Sequence, residues 1–191
     1  KNDIFSGINT TWNRIKNGGE IGEILYNVEE KFDFINPSKH LPKLMEAFNL
    51  IKELEDTHWR KIKEKQVKEI IEACLGLYLE ASVISSTGTP NSTINVDFEV
   101  LNRSDVNIEL TSITSVIDNK TIYKGFELTQ NKKFSFKESF LLKTNDFSDP
   151  YWLRKEASLG MYRVDNQQLI GKPETPRSVK VDFNLIINLT P

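Results

Sequence analysis

Two histidines and a single cysteine are the side chains of this sequence that most readily bind a transition metal. His40, His58 and Cys74 stand far apart, and none has another nitrogen or sulfur ligand at the short spacing of zinc sites. Cys74 lies between Ala73 and Leu75 in a segment of helical period, which favours a small core residue over a nucleophile. We therefore expect no metal site, no cofactor site and no catalytic thiol in this chain.

Carboxylates offer a second kind of chemistry. Asp146 and Asp149 could hold a cation, but their spacing is not that of a calcium loop, and aspartates before Pro150 are typical of turns. Glu29 and Glu30 fall on the solvent side of a predicted helix. The sequence has no Gly-x-Ser-x-Gly segment that would place a serine nucleophile. We expect that this chain is not an enzyme by itself.

One aromatic pair stands in a predicted loop. Tyr151 and Trp152 could stack on the apolar face of a sugar, with Asp149 or Arg154 bonding its hydroxyl groups. Alternatively, Trp152 next to Leu153 anchors the loop on the core. The group Asp149, Tyr151, Trp152 and Arg154 is therefore a candidate ligand or docking site, and both interpretations stay open.

Charge and hydropathy exclude two classes of partner. The 191 residues carry 25 Lys and Arg against 27 Asp and Glu, a net charge of -2, so no basic footprint for nucleic acid is present. The basic run around Arg60 is interrupted by Glu64 and Glu69 and is typical of a solvated helix face. No apolar run approaches the length of a bilayer span, so we expect no membrane span.

The first part of the chain, 1–80, has helical periodicity. Apolar residues three and four apart predict a helix over about 20–34, a second of about 17 residues after Asn36-Pro37, and a third capped by Asp56 or Thr57. The predicted buried side of the third helix is Trp59, Ile62, Val67, Ile70, Ile71, Cys74, Leu75 and Tyr78. Short connections predict an antiparallel three-helix segment.

The second part, 81–191, has the period of strands. Alternation at 94–100, 106–110 and 179–189, with phenylalanines at 134–140, predicts short strands separated by turns. The fold class is therefore α+β, with a helical segment followed by an antiparallel immunoglobulin-like β-sandwich. A long loop at about 143–177 interrupts the strands, and Met161-Tyr162-Arg163-Val164 could form a short strand in it. No flexible linker separates the two parts, so we expect a shared core.

The loop also carries a family resemblance. The segments 149–154, 159–164 and 169–176, together with 5–12 and 100–104 upstream, resemble the C-terminal region of large PIG-L (LmbE-like) deacetylases of Bacteroidetes-type bacteria. In that family a His-Pro-Asp-Asp type motif and a later histidine bind zinc. Here His40 is followed by Leu41 and His58 by Trp59, so no catalytic or metal residue is carried over.

The resemblance implies a non-catalytic region whose catalytic domain, with its zinc, lies before residue 1 in a periplasmic or secreted parent protein. The first function we expect is an accessory region that supports or positions that catalytic domain. The alternative is a carbohydrate-binding module that uses the aromatic loop to bind a glycan.

Overall fold

The chain is described by a computed structural model over residues 4–145, 147–174, 177 and 179–188. It is an α+β protein in which a helical segment precedes antiparallel strands. The helices are α1 (Gly18–Glu30), α2 (Leu41–Lys52) and α3 (Thr57–Leu75). The strands are β1 (Tyr78–Val83), β2 (Thr93–Leu101), β3 (Asn107–Ser115), β4 (Thr121–Glu127), β5 (Phe134–Leu141) and β6 (Val181–Asn188). No helix in these ranges is long and apolar enough to cross a bilayer.

Capping residues and turns set the ends of the helices. The Asp56 carboxylate accepts hydrogen bonds from the backbone N–H groups of His58 and Trp59, which confirms it as the cap of α3. Gly76 then ends α3 in the left-handed conformation. The second helix is shorter than expected, because Pro37–His40 forms a 3-10 turn before α2 begins. The first ends at Glu30 instead of residue 34.

The predicted buried side of α3 is only partly correct. Val67, Ile71, Cys74 and Leu75 are buried, as their spacing predicts. Ile70 is exposed, because it lies at the edge of the buried stripe, on the side opposite to Leu75. Tyr78 is also exposed and belongs to β1, so the strands begin before residue 80.

The six strands form two antiparallel sheets of three. One has the order β1-β2-β5 and the other β4-β3-β6. The alternation in β2 buries Val96, Phe98 and Val100, as predicted. In β3 a bulge between Leu110 and Ser112 shifts the pairing with both neighbours by one residue.

Phenylalanine rings hold the two sheets together. Phe98 of β2 meets Phe183 of β6 edge to face, with ring centres 5.9 Å apart. Phe126 of β4 stacks on Phe134 of β5 at 5.2 Å. The Lys124 ammonium lies 4.3 Å from the Phe136 ring and donates to Glu138 at 2.6 Å, which ties β4 to β5. The sheets therefore pack face to face around aromatic side chains.

Helices and sheets contribute to one continuous cluster of buried residues, which runs from Ile21 in α1 to Phe140 in β5. Two polar contacts also join the parts. The Arg103 guanidinium donates to the carbonyl oxygen of Gly76 at 3.0 Å. The Ser38 hydroxyl donates to the Asp105 carboxylate at 3.2 Å. The shared core itself stays a prediction.

The segment 143–177 is a long loop without a strand in its described residues. Met161-Tyr162-Arg163-Val164 does not form the expected strand, since only an isolated bridge joins Met161 to Ser158. Among the described residues of this loop, the one helical element is a 3-10 turn at Gln167–Leu169, which the Asn166 side chain caps. Asp146, Leu189 and the Thr175-Pro176 pair of the resemblance lie outside the described residues.

Candidate functional site

The four predicted site residues lie in one turn at the start of the long loop. The backbone N–H of Leu153 donates to the carbonyl oxygen of Pro150 at 2.9 Å, which folds the chain back at this point. The rings of Tyr151 and Trp152 meet at right angles, with centres 4.9 Å apart, and both are half-buried. Asp149 and Arg154 are exposed beside them. The turn thus brings the predicted residues together.

The aromatic pair packs within the loop. The Tyr151 hydroxyl accepts a hydrogen bond from the N–H of Gly171 at 3.3 Å, which connects the first part of the loop to its last part. Gly171 adopts a φ of 86°, a conformation that glycine adopts without strain. Neither aromatic ring is among the described side chains that pack against the core cluster. Tyr151 therefore links the two parts of the loop, and Trp152 packs on Tyr151.

An ion pair also crosses the loop. The Lys155 ammonium donates to the Asp165 carboxylate, and this hydrogen bond and charge lower the pKa of Asp165. Between them, Ser158 and Met161 exchange two backbone hydrogen bonds. The turn they form presents large apolar side chains to solvent. The exposed apolar residues of the long loop are Phe147, Leu153, Leu159, Met161, Tyr162 and Ile170.

A second apolar surface is an open cleft between β1 and β6, the β1–β6 cleft. Each of these strands ends its sheet, and neither pairs with a further strand of the described residues. Next to the helices the cleft has a volume of about 420 Å³ and is lined by Leu79, Phe183 and Leu185. Towards the long loop a second hollow, of about 610 Å³, lies along the same two strands, and the name β1–β6 cleft covers both. There its lining includes Val83, Val181 and Phe147.

The cleft leaves the inner face of β6 incompletely covered. Val181, Phe183, Leu185 and Ile187 alternate towards the core, as predicted, but each keeps part of its surface in water. The equivalent residues of β2 are fully buried. Sequence periodicity could not separate these strands, because alternation reports which side faces inward and not whether another element covers it.

A third site joins two tryptophans that are far apart in sequence. Trp12, Arg14, Trp59 and Lys63, with Thr10, Thr11 and Ile15, line a pocket of about 150 Å³, the Trp pocket. The Lys63 ammonium lies 5.4 Å from the Trp12 ring centre and 5.8 Å from that of Trp59. The only local signal for this pocket is the spacing of Trp59 and Lys63, which places the two side chains on one helix face.

The histidines contact neighbouring groups, and the cysteine is buried. His40 accepts a hydrogen bond from the N–H of Asp33 at 2.9 Å and stacks on Phe32, whereas His58 contacts the edge of Trp59. Cys74 is buried, and burial raises the pKa of its thiol, which disfavours the reactive thiolate. Within the described ranges no three His, Cys, Asp or Glu residues come together in a way that would hold a metal ion.

No family model, curated protein or solved structure matches this chain. The candidate binding surfaces of the described residues are the apolar long loop, the β1–β6 cleft and the Trp pocket.

Proposed function

We propose that this chain is a non-catalytic accessory region that docks on the catalytic domain of its parent protein, a zinc-dependent N-acetyl sugar deacetylase of the PIG-L (LmbE-like) type. The resemblance supplies the identity of the partner. The single observation that carries the docking role is the open, apolar β1–β6 cleft, which continues into the long loop. A periplasmic or secreted location of the parent belongs to the same proposal.

The strand order gives a physical reason for the open cleft. We propose that the two sheets are immunoglobulin-like, with β1, β2 and β5 as strands A, B and E, and with β4, β3 and β6 as C′, C and F. In that fold strand G lies beside F. Here no described strand pairs with the outer edge of β6, so its backbone N–H and C=O groups and its half-exposed apolar side chains are open to a partner.

The long loop extends the same surface. Phe147 and Ser148 in its first part and Arg177 at its end line the wider end of the cleft. The loop then exposes Leu159 fully and Met161 largely to solvent, at relative exposures of 105% and 72%. Large apolar patches on a protein surface mark interaction sites. Strand edge and loop together make a contact surface for a neighbouring domain.

The test is a calorimetric titration of the chain into the separately expressed catalytic domain of its parent. We expect micromolar or tighter association. A charge placed in the cleft, Val83→Lys, should weaken it at least tenfold, because a buried unpaired ammonium is costly at an interface. Ile35→Lys is the matched control, since Ile35 is 98% exposed and lies in the α1–α2 connection.

Two outcomes would contradict docking through this surface. The first is the absence of association with the catalytic domain. The second is equal weakening by Val83→Lys and Ile35→Lys. A hydrophobic dye supplies a check without the partner, since an open cleft should bind it and Val83→Lys should reduce the signal.

The second candidate function is glycan binding by the long loop. Its support is the half-exposed pair Tyr151 and Trp152, with Asp149 and Arg154 beside them at the surface. On this hypothesis Trp152→Ala abolishes glycan affinity and leaves the melting temperature nearly unchanged. A glycan array probed with both proteins tests it, and equal binding by the two would argue against this site.

A further inference from the structure

The Trp pocket is cationic and is built by two separate segments. Trp12 and Arg14 come from a 3-10 turn before α1, while Trp59 and Lys63 come from the first turns of α3. None of the seven described residues that line the pocket is acidic. The pocket therefore combines two indole rings with two positive charges.

The two cations are available to an anion. Neither Arg14 nor Lys63 forms a salt bridge with a residue in the described part of the chain. Lys63 is half-buried, and its ammonium donates to the Gln66 side chain at 2.9 Å. The Arg14 guanidinium lies 5.9 Å from the Trp59 ring centre. A carboxylate suits this pair, because guanidinium binds it through two parallel hydrogen bonds and the ammonium adds a point charge.

The remainder of the pocket suits a small ring with hydroxyl groups. The volume of about 150 Å³ leaves room for one ring. Indole provides a flat apolar wall with a polar edge, which is suited to a body that is apolar on one face only. The Thr11 hydroxyl donates to Asn9 at 2.7 Å and keeps lone pairs that can accept a hydrogen bond, and the exposed Thr10 offers a second hydroxyl.

The walls of the pocket are held in place. The Asp56 cap fixes the backbone of Trp59, and a solvent-exposed Lys16–Glu55 ion pair at 3.0 Å joins the segment after the Trp12 turn to the α2–α3 connection. A Cβ at Gly22 would come within 2.9 Å of the Trp12 Cβ, so glycine allows the turn to lie directly on α1. Sites supported in this way lose little entropy when a ligand binds.

We propose that the Trp pocket binds an acidic sugar, a single pyranose ring that carries a carboxylate, with the ring against Trp12 and Trp59 and the carboxylate on Arg14 and Lys63. This site lies on the helical segment, apart from the loop aromatics and the β1–β6 cleft. It is independent of the proposed docking function, so either one can fail without the other.

The test follows the indole N–H signals of Trp12, Trp59 and Trp152 in the ¹⁵N-labelled chain during titration with glucuronic acid. We expect saturable shifts at Trp12 and Trp59, with a dissociation constant in the millimolar range or below, and none at Trp152. Glucose, which lacks the carboxylate, should bind at least about tenfold more weakly, as expected for the loss of a charged hydrogen bond. Acetate, which lacks the ring, should also bind at least about tenfold more weakly than glucuronic acid.

Two variants test which cations bind the carboxylate. Arg14→Gln and Lys63→Gln should each weaken glucuronate binding about tenfold or more, and Lys61→Gln, an exposed lysine of the same helix, should stay within about twofold. The proposal is overturned if glucuronate causes no saturable shift, if Trp152 responds equally, or if Lys61→Gln weakens binding as much as Lys63→Gln. An affinity for glucose or for acetate equal to that for glucuronate would also overturn it, since the site would then recognise only the ring or only the charge.

Discussion

Asn102 holds the corner between β2 and β3 with its side chain. The residue is fully buried, and its amide group donates to the carbonyl oxygens of Val106 and Leu128 at 2.9 and 3.2 Å. Its oxygen accepts from the N–H and the hydroxyl of Ser104. One side chain therefore satisfies groups from the β2–β3 turn and from the residue that follows β4.

Asn102→Ala should consequently lower the free energy of unfolding by about 3 kcal/mol, because buried carbonyl groups lose their donor. Chemical denaturation of the two proteins measures the difference. Asn107→Ala, an exposed asparagine at the start of β3, is the control and should stay within about 0.5 kcal/mol of the wild type. A change below about 1 kcal/mol for Asn102→Ala would mean that water replaces the amide.

Asp118 gives the stability of the protein a pH dependence at the residue scale. Burial raises the pKa of this carboxyl, but the hydrogen bonds it accepts, including those from the N–H groups of Lys120 and Leu141, outweigh burial and hold the pKa below 3.8. A pKa that is lower in the folded state stabilises the protein above the pKa of the unfolded state. This contribution disappears as the pH falls through the folded-state pKa.

The Asp118→Asn variant should therefore be less stable than the wild type at pH 7, by about 1 kcal/mol, the usual worth of such hydrogen bonds. The difference should shrink as the pH falls below about 4, where the unfolded-state carboxyl takes up a proton, and should be lost as the pH passes through the lower folded-state pKa. Urea titrations of both proteins across this range provide the measurement. A difference that does not vary with pH would show that the charge of Asp118 has no part in it.

At the scale of elements, α1 depends on glycine for its contact with the Trp12 turn. A Cβ at Gly18 would lie 2.2 Å from the Trp12 carbonyl oxygen, a backbone atom that cannot move aside alone. A Cβ at Gly19 would meet only the end of the Asn13 side chain, at 2.9 Å. The first clash must displace the turn, and the second is relieved by a rotamer change.

Gly18→Ala should thus destabilise the protein by about 1–3 kcal/mol, as overpacking does, although alanine is favoured over glycine in helices by about 1 kcal/mol. Gly19→Ala, its neighbour, should be neutral or stabilising. Thermal unfolding of both variants decides the matter. If Gly18→Ala were the more stable of the two, the Trp12 turn would not lie in close contact with α1.

The long loop should behave as an element of low local stability. Trp152 packs on Tyr151 within the loop, whereas Phe98 is buried between the sheets. Trp152→Ala should therefore cost about 1 kcal/mol or less, and Phe98→Ala about 3–5 kcal/mol. Denaturation gives both values, and hydrogen exchange of residues 147–174 should show fast exchange relative to β2. A large loss of global stability in Trp152→Ala would restore the anchor hypothesis.

For the whole molecule, the continuous buried cluster predicts cooperative unfolding of helices and sheets. Trp12 and Trp59 report on the helical segment, and Trp152→Phe removes the one other tryptophan. In that variant, tryptophan fluorescence should follow the same denaturation curve as exchange protection of β2 and β5, as two-state behaviour requires. Two separate midpoints would mean that helices and sheets are independent domains.

The periodicity of the sequence alone determined where the three helices and several of the strands lie. Spacings of three and four placed α1, α2 and α3, the Asp56 cap located the start of α3, and strict alternation identified β2 and β6. These features are local, because capping and amphipathic periodicity depend on neighbours within one or two turns. The sequence pattern did not predict β1, since its residues Tyr78–Val83 are mostly exposed and lack a clear apolar alternation.

Only the tertiary structure decided where the candidate binding sites lie between these elements. The β1–β6 cleft exists because two sheets end side by side with no further strand from the described residues between them, and sheet order is set by pairing between distant segments. The Trp pocket likewise joins Trp12 to Trp59 through the packing of a turn on a helix. Candidate sites of this kind are contacts between residues far apart in the chain. A sequence pattern read within one element carries no record of them.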